Sequence, residues 1–292
     1  MPANPPVFVT FRTLILIGTG GYFLCFAICV LGIGAPGMFW QAAPQLMLFP
    51  WAVFAVAFWR LSQFDSSLAA RPVDIAIVML FAVAAIPLAT SLAALGLGIG
   101  GLGAFALWRS TMSHSRGDTA LKAAAVCLLA LCANLFISPL IFRLGYGQFI
   151  GFDMALLQTA IDIAGAPVTV TPAGMVAEDG LRVLLVGACS SFAGVSAAVL
   201  VHMGWAMVVR TEVGWRDMIA VAATVCLATL INIIRLTLTA SGHEAYAFWH
   251  GAVGQTPLGG QIFWFLQNAI LLTGGYISAT WASPHHGQRR AA

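Results

Sequence analysis

Charged residues are scarce in this 292-residue chain: they make up 8% of it, while hydrophobic residues make up 60%. Soluble globular proteins carry roughly 25% charged residues, so the composition excludes an ordinary soluble domain. The net charge is only +3 and the one basic run is Arg289-Arg290, which argues against nucleic-acid binding. Repeated apolar runs of about 20 residues indicate a polytopic helical membrane protein.

Cysteine patterns that bind metals are also missing from the sequence. The six cysteines form no Cys-x-x-Cys pair and no Cys/His cluster at metal-ligand spacing, so neither a metal nor an organic cofactor is implied. Cys189 falls at a predicted helix boundary. The other five lie inside predicted membrane helices, where cysteine usually acts as a small hydrophobic residue. These five are Cys25, Cys29, Cys127, Cys132 and Cys226.

The hydropathy pattern predicts an all-α polytopic membrane protein with about eight transmembrane helices. The N-terminal segment 1–12 lacks the features of a cleaved signal peptide, so we expect the first span to be retained. The whole chain, 1–292, is expected to form a single integral-membrane domain. It would consist of a four-helix part over 1–115, a core over 116–285 and a cytoplasmic tail over 286–292. The predicted spans are 13–33, 44–62, 73–90, 92–109, 120–141, 189–209, 217–240 and 261–281.

A glycine-rich segment, GLGIGGLG, lies in the fourth predicted span. The third and fourth spans share one apolar stretch, 75–108, that is split by Ser91. The segment could form a tight membrane hairpin or a close helix contact, because small residues let backbones approach. It lacks the strand context of a phosphate-binding loop, which excludes nucleotide binding there.

The distribution of lysine and arginine predicts the orientation of the spans. With the N-terminus inside, ten basic residues fall on the cytoplasmic side, and only Arg143 and Arg182 fall on the other. Both termini are therefore predicted to be cytoplasmic, and segments 142–188 and 241–260 extracytoplasmic. The ten are Arg12, Arg60, Arg71, Arg109, Arg116, Lys122, Arg210, Arg216, Arg289 and Arg290.

The first extracytoplasmic segment is predicted to support Cys189. Residues 148–165 have apolar side chains at helical spacing and two aspartates, which is typical of an interfacial amphipathic helix. Residues 166–187 contain two β-branched runs separated by turn residues, which predicts a small β-hairpin. This hairpin would lead directly into Cys189 and hold it at the outer membrane surface.

Three kinds of reactive side chain converge on this face: Cys189, Arg235 and a histidine, either His243 or His250. They match the nucleophile, oxyanion stabiliser and proton shuttle of a thiol acyl transferase. Arg235 lies about five residues inside its span, where it either snorkels to the interface or serves a site. Asn232 lies on the same helix face and is expected to support the site.

In this order, Cys189-Ser190-Ser191, the Asn232-x-x-Arg235 pattern and His250 followed by glycine resemble the exosortase/archaeosortase family of membrane cysteine transpeptidases. The similarity covers roughly residues 120–280, and the first four spans match only in hydrophobic character. One residue departs from the family pattern: Ser191 stands where glycine is usual.

The resemblance implies an enzyme of the prokaryotic cytoplasmic membrane that cleaves C-terminal sorting tails of exported proteins. Such a tail has a short motif such as Pro-Glu-Pro, a transmembrane helix and a basic cluster, as in PEP-CTERM proteins. Cys189 would attack the peptide, Arg235 would stabilise the oxyanion or the thiolate, and His250 would transfer protons. The implied partners are this protein substrate and membrane lipids, without nucleic acid. Substrate-binding or supporting roles would fall to Asn232, Ser190, Ser191 and His243.

Two other functions are compatible with the same residues. A small transporter or lipid-handling protein would use Arg235 as an anion site and Cys189 as a structural residue, although the repeated halves common in transporters are not visible. A non-catalytic assembly subunit would use Arg235 and Asn232 to hold a partner helix.

Overall fold

The computed structural model of the chain describes residues 10–31, 48–64, 69–88, 91–112, 118–171, 174–185, 189–210, 212–250 and 257–281. Helices dominate these residues, and one small sheet lies in the chain between α7 and α8. The helices are α1 Phe11–Leu31, α2 Leu48–Gln63, α3 Pro72–Leu88, α4 Leu92–Thr111, α5 Asp118–Cys132, α6 Ser138–Leu144, α7 Tyr146–Ala164, α8 Phe192–Val209, α9 Trp215–Ala240, α10 His243–Trp249 and α11 Leu258–Trp281. The strands are β1 Val168–Thr171, β2 Gly174–Ala177 and β3 Arg182–Leu184.

Within the described part of the chain, six helical segments are long and apolar enough to cross a membrane. They are α1, α4, the continuous segment Thr119–Leu144, α8, α9 and α11. The expectation of a multipass membrane protein is therefore confirmed at this level. The count of eight spans is not confirmed, because α2 has 16 residues and α3 has 17, fewer than the roughly 20 residues that span a bilayer.

One widened turn, the π-helical segment Ala133–Ile137, joins α5 to α6. The N–H of Ser138 donates to the carbonyl of Ala133, five residues back. Pro139 follows directly, and proline has no N–H for the next helical bond while its ring crowds the preceding turn. The wider turn accommodates the proline within a continuous helix.

The chain divides into two compact units. Among the described elements, the first unit contains α1–α5 and the end of α8, and the second contains α7, the sheet, the start of α8 and α9–α11. The first unit is Met1–Ala42, Met47–Pro139 and Met203–Val213; the second is Ala43–Leu46, Leu140–His202 and Gly214–Ala292.

In the first unit, the glycine-rich segment 96–103 lies inside α4, so it forms a close helix contact and not a hairpin. A Cβ added at Gly96 would lie 2.7 Å from the Cβ of Leu135, and one added at Gly103 would lie 2.9 Å from the Cβ of Leu128. Glycine is needed along this face because α4 packs directly on the helix that runs from α5 into α6. Ser91, which splits the apolar stretch in the sequence, is the N-cap of α4.

A buried ion pair joins α3 to α4 in the same unit. The Nη2 atom of Arg109 lies 2.9 Å from Oδ2 of Asp74, and the two residues are only 2% and 1% exposed. Asp74 also accepts the N–H of Arg71 at 2.9 Å. Since a single buried charge without its partner is strongly unfavourable, this pair specifies how α3 and α4 associate.

In the second unit, the three strands form an antiparallel sheet in the order β1-β2-β3. Val168 pairs with Ala177, and Met175 pairs with Val183. The predicted hairpin is therefore present and is extended by a third strand. Gly174 has a φ of +157°, and a side chain there would collide with the carbonyl of Val183, so this strand start requires glycine.

The apolar core of the second unit is formed by one face of α7, the inner face of the sheet and the end of α9. Cys189 belongs to this core, so the segment before α8 is anchored between the sheet and the two helices. We call these residues the Cys189 cluster. It consists of Ile150, Met154, Leu157, Ile161, Met175, Val183, Leu185, Cys189, Ile233, Leu236 and Ala240.

The close approach of α4 predicts that Gly96→Ala destabilises the protein. The added methyl would overlap Leu135 Cβ and approach the Phe136 backbone N to 3.1 Å, which should cost about 1–3 kcal/mol. Gly20→Ala is the matched control, because nothing lies within 4 Å of its added Cβ and both variants gain the same helix propensity. Thermal unfolding in detergent should give a lower Tm for Gly96→Ala alone. Equal Tm values would contradict the close packing.

Candidate active site

The segment Cys189-Ser190-Ser191 makes a turn directly before α8, and α9 holds one side of it. The amide nitrogen Nδ2 of Asn232 donates to the carbonyl oxygen of Cys189 at 2.9 Å and to the Ser191 hydroxyl at 3.2 Å. Asn232 was predicted to support the site, and here it fixes the backbone of the candidate nucleophile itself.

Asp153, on α7, holds the other side of the turn. Its Oδ2 accepts the Ser190 hydroxyl at 2.7 Å and the backbone N–H of Ser191 at 3.0 Å. The Ser190 hydroxyl in turn accepts the backbone N–H of Phe192 at 3.3 Å. All four polar side chains around the turn, including Asn232, are therefore used to fix its conformation.

Ser191 occupies the glycine position of the family pattern without backbone strain. Among the described residues, no residue other than glycine has a positive φ. The hydroxyl of Ser191 gains a partner in Asn232, as described above. Glycine's conformational freedom is therefore not needed at this position of the chain.

Arg235 is a cation that interacts with Cys189. It lies five residues before the end of α9 and one turn beyond Asn232, as the sequence predicted. Its side chain is partly buried, and its charge interacts electrostatically with Cys189, which is 9% exposed. A cation beside a cysteine favours the thiolate form, which is the reactive nucleophile.

His250 caps the C-terminal end of α10 and has an exposed side chain. Its ring stacks on Tyr246, with the ring centroids 4.8 Å apart and the planes 20° from parallel. Tyr246 packs against the Cys189 cluster, so it connects His250 to the core that contains the candidate nucleophile. The residues that follow in the family pattern, 251–254, lie outside the described residues.

His243 has a different surrounding, at the start of α10. Its backbone N–H donates to Oδ2 of Asp179 at 2.7 Å, and its ring Nδ1 lies 2.8 Å from the same oxygen. Oδ1 of Asp179 accepts the N–H of Leu181 at 3.1 Å. Asp179 belongs to the turn between β2 and β3, so this pair ties the sheet to the start of α10. Gly242 permits the approach with a φ of +144°.

An apolar cavity of about 820 Å³ lies beside the turn. Side chains of α7 and α9 such as Phe152 and Leu230 form its walls, and Asp153, Ser190 and Ser191 contribute polar atoms to its lining. This volume is within the range of small-molecule and cofactor sites. The turn is therefore accessible to an apolar chain from this cavity.

Asp153 belongs to the candidate site, although the sequence patterns did not assign it a role. The sequence drew attention to two aspartates in segment 148–165 but assigned neither a role. The second, Asp162, is exposed and accepts a hydrogen bond from Gln158 at 2.7 Å. Asp153 differs because it lies in the apolar stripe of α7 at helical spacing, and a charged residue inside such a stripe is the signal that could have identified it. The stripe is Ile150, Asp153, Met154, Leu157 and Ile161.

The remaining cysteines have different environments. Cys25, Cys127 and Cys132 are buried, in agreement with their prediction as small hydrophobic residues, whereas Cys226 is exposed on α9 and lines the cavity. The side chain of Cys29 lies outside the described part of the structure.

Comparison of the chain with known protein families, with curated proteins and with solved structures finds no match. In the described part of the chain, no group of three or more His, Cys, Asp or Glu side chains could hold a metal ion. The arrangement of Cys189, Arg235 and their supporting residues is therefore the basis on which a function is assigned.

The contact between Asp179 and His243 predicts an acid-sensitive α10. Hydrogen bonds from the backbone and ring of His243, and then from the Leu181 N–H, lower the pKa of Asp179 from 3.8 to about 2. Because the folded pKa is depressed, the stabilisation is present above pH 4 and is lost as the pH falls towards 2. Hydrogen exchange of the peptide 242–250, corrected for intrinsic rates, should show protection that disappears over this window.

Two variants check this assignment. Both carboxylate oxygens of Asp179 accept hydrogen bonds, whereas asparagine has one acceptor oxygen. Asp179→Asn should therefore remove the acid dependence and reduce the protection of the start of α10 at all pH values. Glu178→Gln removes the neighbouring charge and should leave the exchange unchanged. An unaltered pH profile in Asp179→Asn would mean that another group controls α10.

Proposed function

We propose that the chain is a membrane cysteine transpeptidase or protease of the exosortase/archaeosortase type. It would cleave the C-terminal sorting tails of exported proteins at the extracytoplasmic face of a prokaryotic cytoplasmic membrane, with both termini of the chain cytoplasmic. The observation that carries the proposal is the hydrogen-bonded turn that fixes Cys189, together with the electrostatic interaction between this cysteine and Arg235. The order of the three patterns in the sequence adds to it.

In the first half-reaction, the Cys189 thiolate attacks the scissile carbonyl and a carbon–sulfur bond forms. Arg235 stabilises the negative charge, first on the sulfur and then on the carbonyl oxygen. His250 donates a proton to the leaving amine as the carbon–nitrogen bond breaks, which leaves a thioacyl enzyme.

In the second half-reaction, neutral His250 takes a proton from the acceptor, which attacks the thioester. The carbon–sulfur bond breaks and the Cys189 thiolate is regenerated beside Arg235. Water as the acceptor gives hydrolysis, and an amine or a hydroxyl gives transpeptidation or transesterification. By taking the acceptor's proton, the histidine returns to the protonated state in which it began the first half-reaction.

The surroundings of Cys189 support this chemistry in two ways. Asn232 and Asp153 fix the turn before the substrate arrives, so little ordering is left to the reaction itself. The apolar cavity beside the turn gives room for the membrane-embedded part of a substrate whose cleaved bond lies at Cys189.

The same cavity is the specific observation that favours a second candidate, a lipid-handling or transport protein with Arg235 as an anion site. An apolar volume of about 820 Å³ suits the hydrocarbon part of an amphiphile, and Arg235 would bind its acidic head group. In that function Cys189 would be structural, so the two candidates differ in whether the thiol is required.

Replacement of the nucleophile tests the proposed function directly. In the native host, Cys189→Ala should abolish removal of C-terminal transmembrane tails from exported proteins, because no thioacyl enzyme can form. Cys189→Ser should be almost as inactive, since a serine alkoxide forms far less readily than a thiolate. Mass spectrometry of membrane-protein C-termini in a deletion strain complemented with each variant measures the loss.

Cys25→Ala is the matched control, because Cys25 is a buried free cysteine like Cys189 but lies on α1, outside the cavity. It should process tails as the unmodified protein does, at equal abundance in the membrane. Tail processing that persists in Cys189→Ala would refute the enzyme and favour the lipid-handling candidate.

Arg235 variants separate catalysis from simple anchoring. Arg235→Ala should reduce the processing rate by about 10²–10³-fold, the cost of removing one oxyanion donor. Arg235→Lys should recover only part of the rate, because lysine keeps the charge but lacks the planar fork of donors. The exposed Arg216, on the first turn of α9, provides the control variant Arg216→Ala. Full activity in Arg235→Ala would assign that arginine to the membrane interface.

A further inference from the structure

We propose that Asp153 is the positioning residue of Cys189: its Oδ2 atom fixes the turn at residues 189–191 so that the thiol is held beside Arg235. The inference deepens the proposed function, on which it rests for the reaction that the thiol performs. Its test measures the thiol itself and needs no substrate.

The first observation is the burial of the carboxylate. Asp153 is 1% exposed and lies among apolar residues of α7, including Ile150 and Met154. A buried carboxylate costs several kcal/mol unless polar groups compensate it, so the residue would be expected here only if its hydrogen bonds serve a purpose. Both of its hydrogen bonds go to the turn that carries Cys189.

The second observation is that these bonds converge on one oxygen. Oδ2 of Asp153 accepts from the Ser190 hydroxyl and from the Ser191 backbone N–H, and the same hydroxyl accepts the N–H of Phe192. A single atom on α7 thus orders the turn and the first residue of α8. Asp153 on α7 and Asn232 on α9 both anchor this turn by hydrogen bonds.

The two anchors act on different parts of the turn. Asn232 holds the carbonyl of Cys189 and the Ser191 hydroxyl, whereas Asp153 holds the Ser190 hydroxyl and the Ser191 backbone N–H. Without Asp153, the turn would lose its hydrogen bonds to α7 and keep those from Asn232 on α9. We expect the backbone after Cys189 then to shift, and the thiol to move relative to Arg235.

The charge of Asp153 allows its positioning role to be distinguished from a direct electrostatic one. A nearby negative charge disfavours a thiolate, so simple removal of the carboxylate should make Cys189 more reactive. Loss of positioning has the opposite sign, because the thiolate loses Arg235. Since both hydrogen bonds use one oxygen, the amide oxygen of asparagine can accept both of them. Asp153→Asn therefore keeps the position and removes the charge.

The experiment is alkylation of the full-length detergent-solubilised protein with iodoacetamide, followed by mass spectrometry of the peptides that contain Cys189 and Cys226. Rates are measured from about pH 5 to 10 for the unmodified protein, Asp153→Ala and Asp153→Asn. We expect Asp153→Ala to raise the pH midpoint of Cys189 alkylation by about one unit and to slow the reaction about tenfold near neutral pH. Asp153→Asn should keep the midpoint at or below that of the unmodified protein.

Three controls keep the test decisive. Cys226 is exposed on α9, and its rate is the reference for access of the reagent to that helix in each variant. Asp162→Ala removes an exposed carboxylate from the same helix and should change neither rate. Ser190→Ala removes one of the two hydrogen bonds to Asp153 and should give an intermediate pH midpoint. If Asp153→Ala changes the Cys226 rate, the midpoints of Ser190→Ala and Asp153→Asn test the positioning role instead.

The proposal is overturned if Asp153→Ala leaves Cys189 unchanged, if it lowers the midpoint, or if Asp153→Asn is as slow as the alanine variant. These outcomes are independent of the proposed function. If tails are still processed in Cys189→Ala while alkylation follows the expected pattern, the transpeptidase is wrong and the positioning of a reactive thiol by Asp153 stands.

Discussion

The hydrogen bond from Asn232 to the carbonyl oxygen of Cys189, 2.9 Å long, is the constraint on which the candidate site depends. It joins the end of α9 to the turn before α8, and α9 also carries Arg235 one helical turn further on. A carbonyl in an apolar interior needs a hydrogen-bond donor, so loss of this contact would destabilise the folded turn. Because one helix supplies both a backbone anchor and the cation, α9 links the position of the turn to that of Arg235.

The scarcity of charge explains why so few polar contacts determine so much of the structure. In an apolar chain, hydrophobic burial stabilises many helix pairings almost equally well. A buried polar group disfavours every pairing that leaves it without a hydrogen-bond partner, so it selects one of them. Asp74 and Arg109 supply that selectivity in the first unit, and Asp153 and Asn232 supply it in the second. The same rule that decides which helices associate therefore also decides where the thiol lies.

Local sequence patterns predicted the features that depend on residues close together in the chain. Apolar runs located α8, α9 and the end of α9 near Ala240, and β-branched runs located the hairpin. The role of Asp153 and the pairing of Asp179 with His243 depend on contacts across 37 and 64 residues, which no local pattern reveals. The glycine-rich segment was ambiguous for the same reason, because the partner that makes glycine necessary lies on another helix.

Ser191 illustrates how such long-range contacts change the meaning of a short pattern. A serine in place of glycine would be costly if the turn needed a positive φ, but the backbone here does not adopt one. Its hydroxyl accepts from the same Nδ2 atom that holds the Cys189 carbonyl, so the substitution adds a second bond to an existing anchor. An asparagine side chain with two acceptors loses rotational freedom and holds the carbonyl more firmly. The serine at this position is thus compatible with a candidate nucleophile, Cys189, that is more rigidly held.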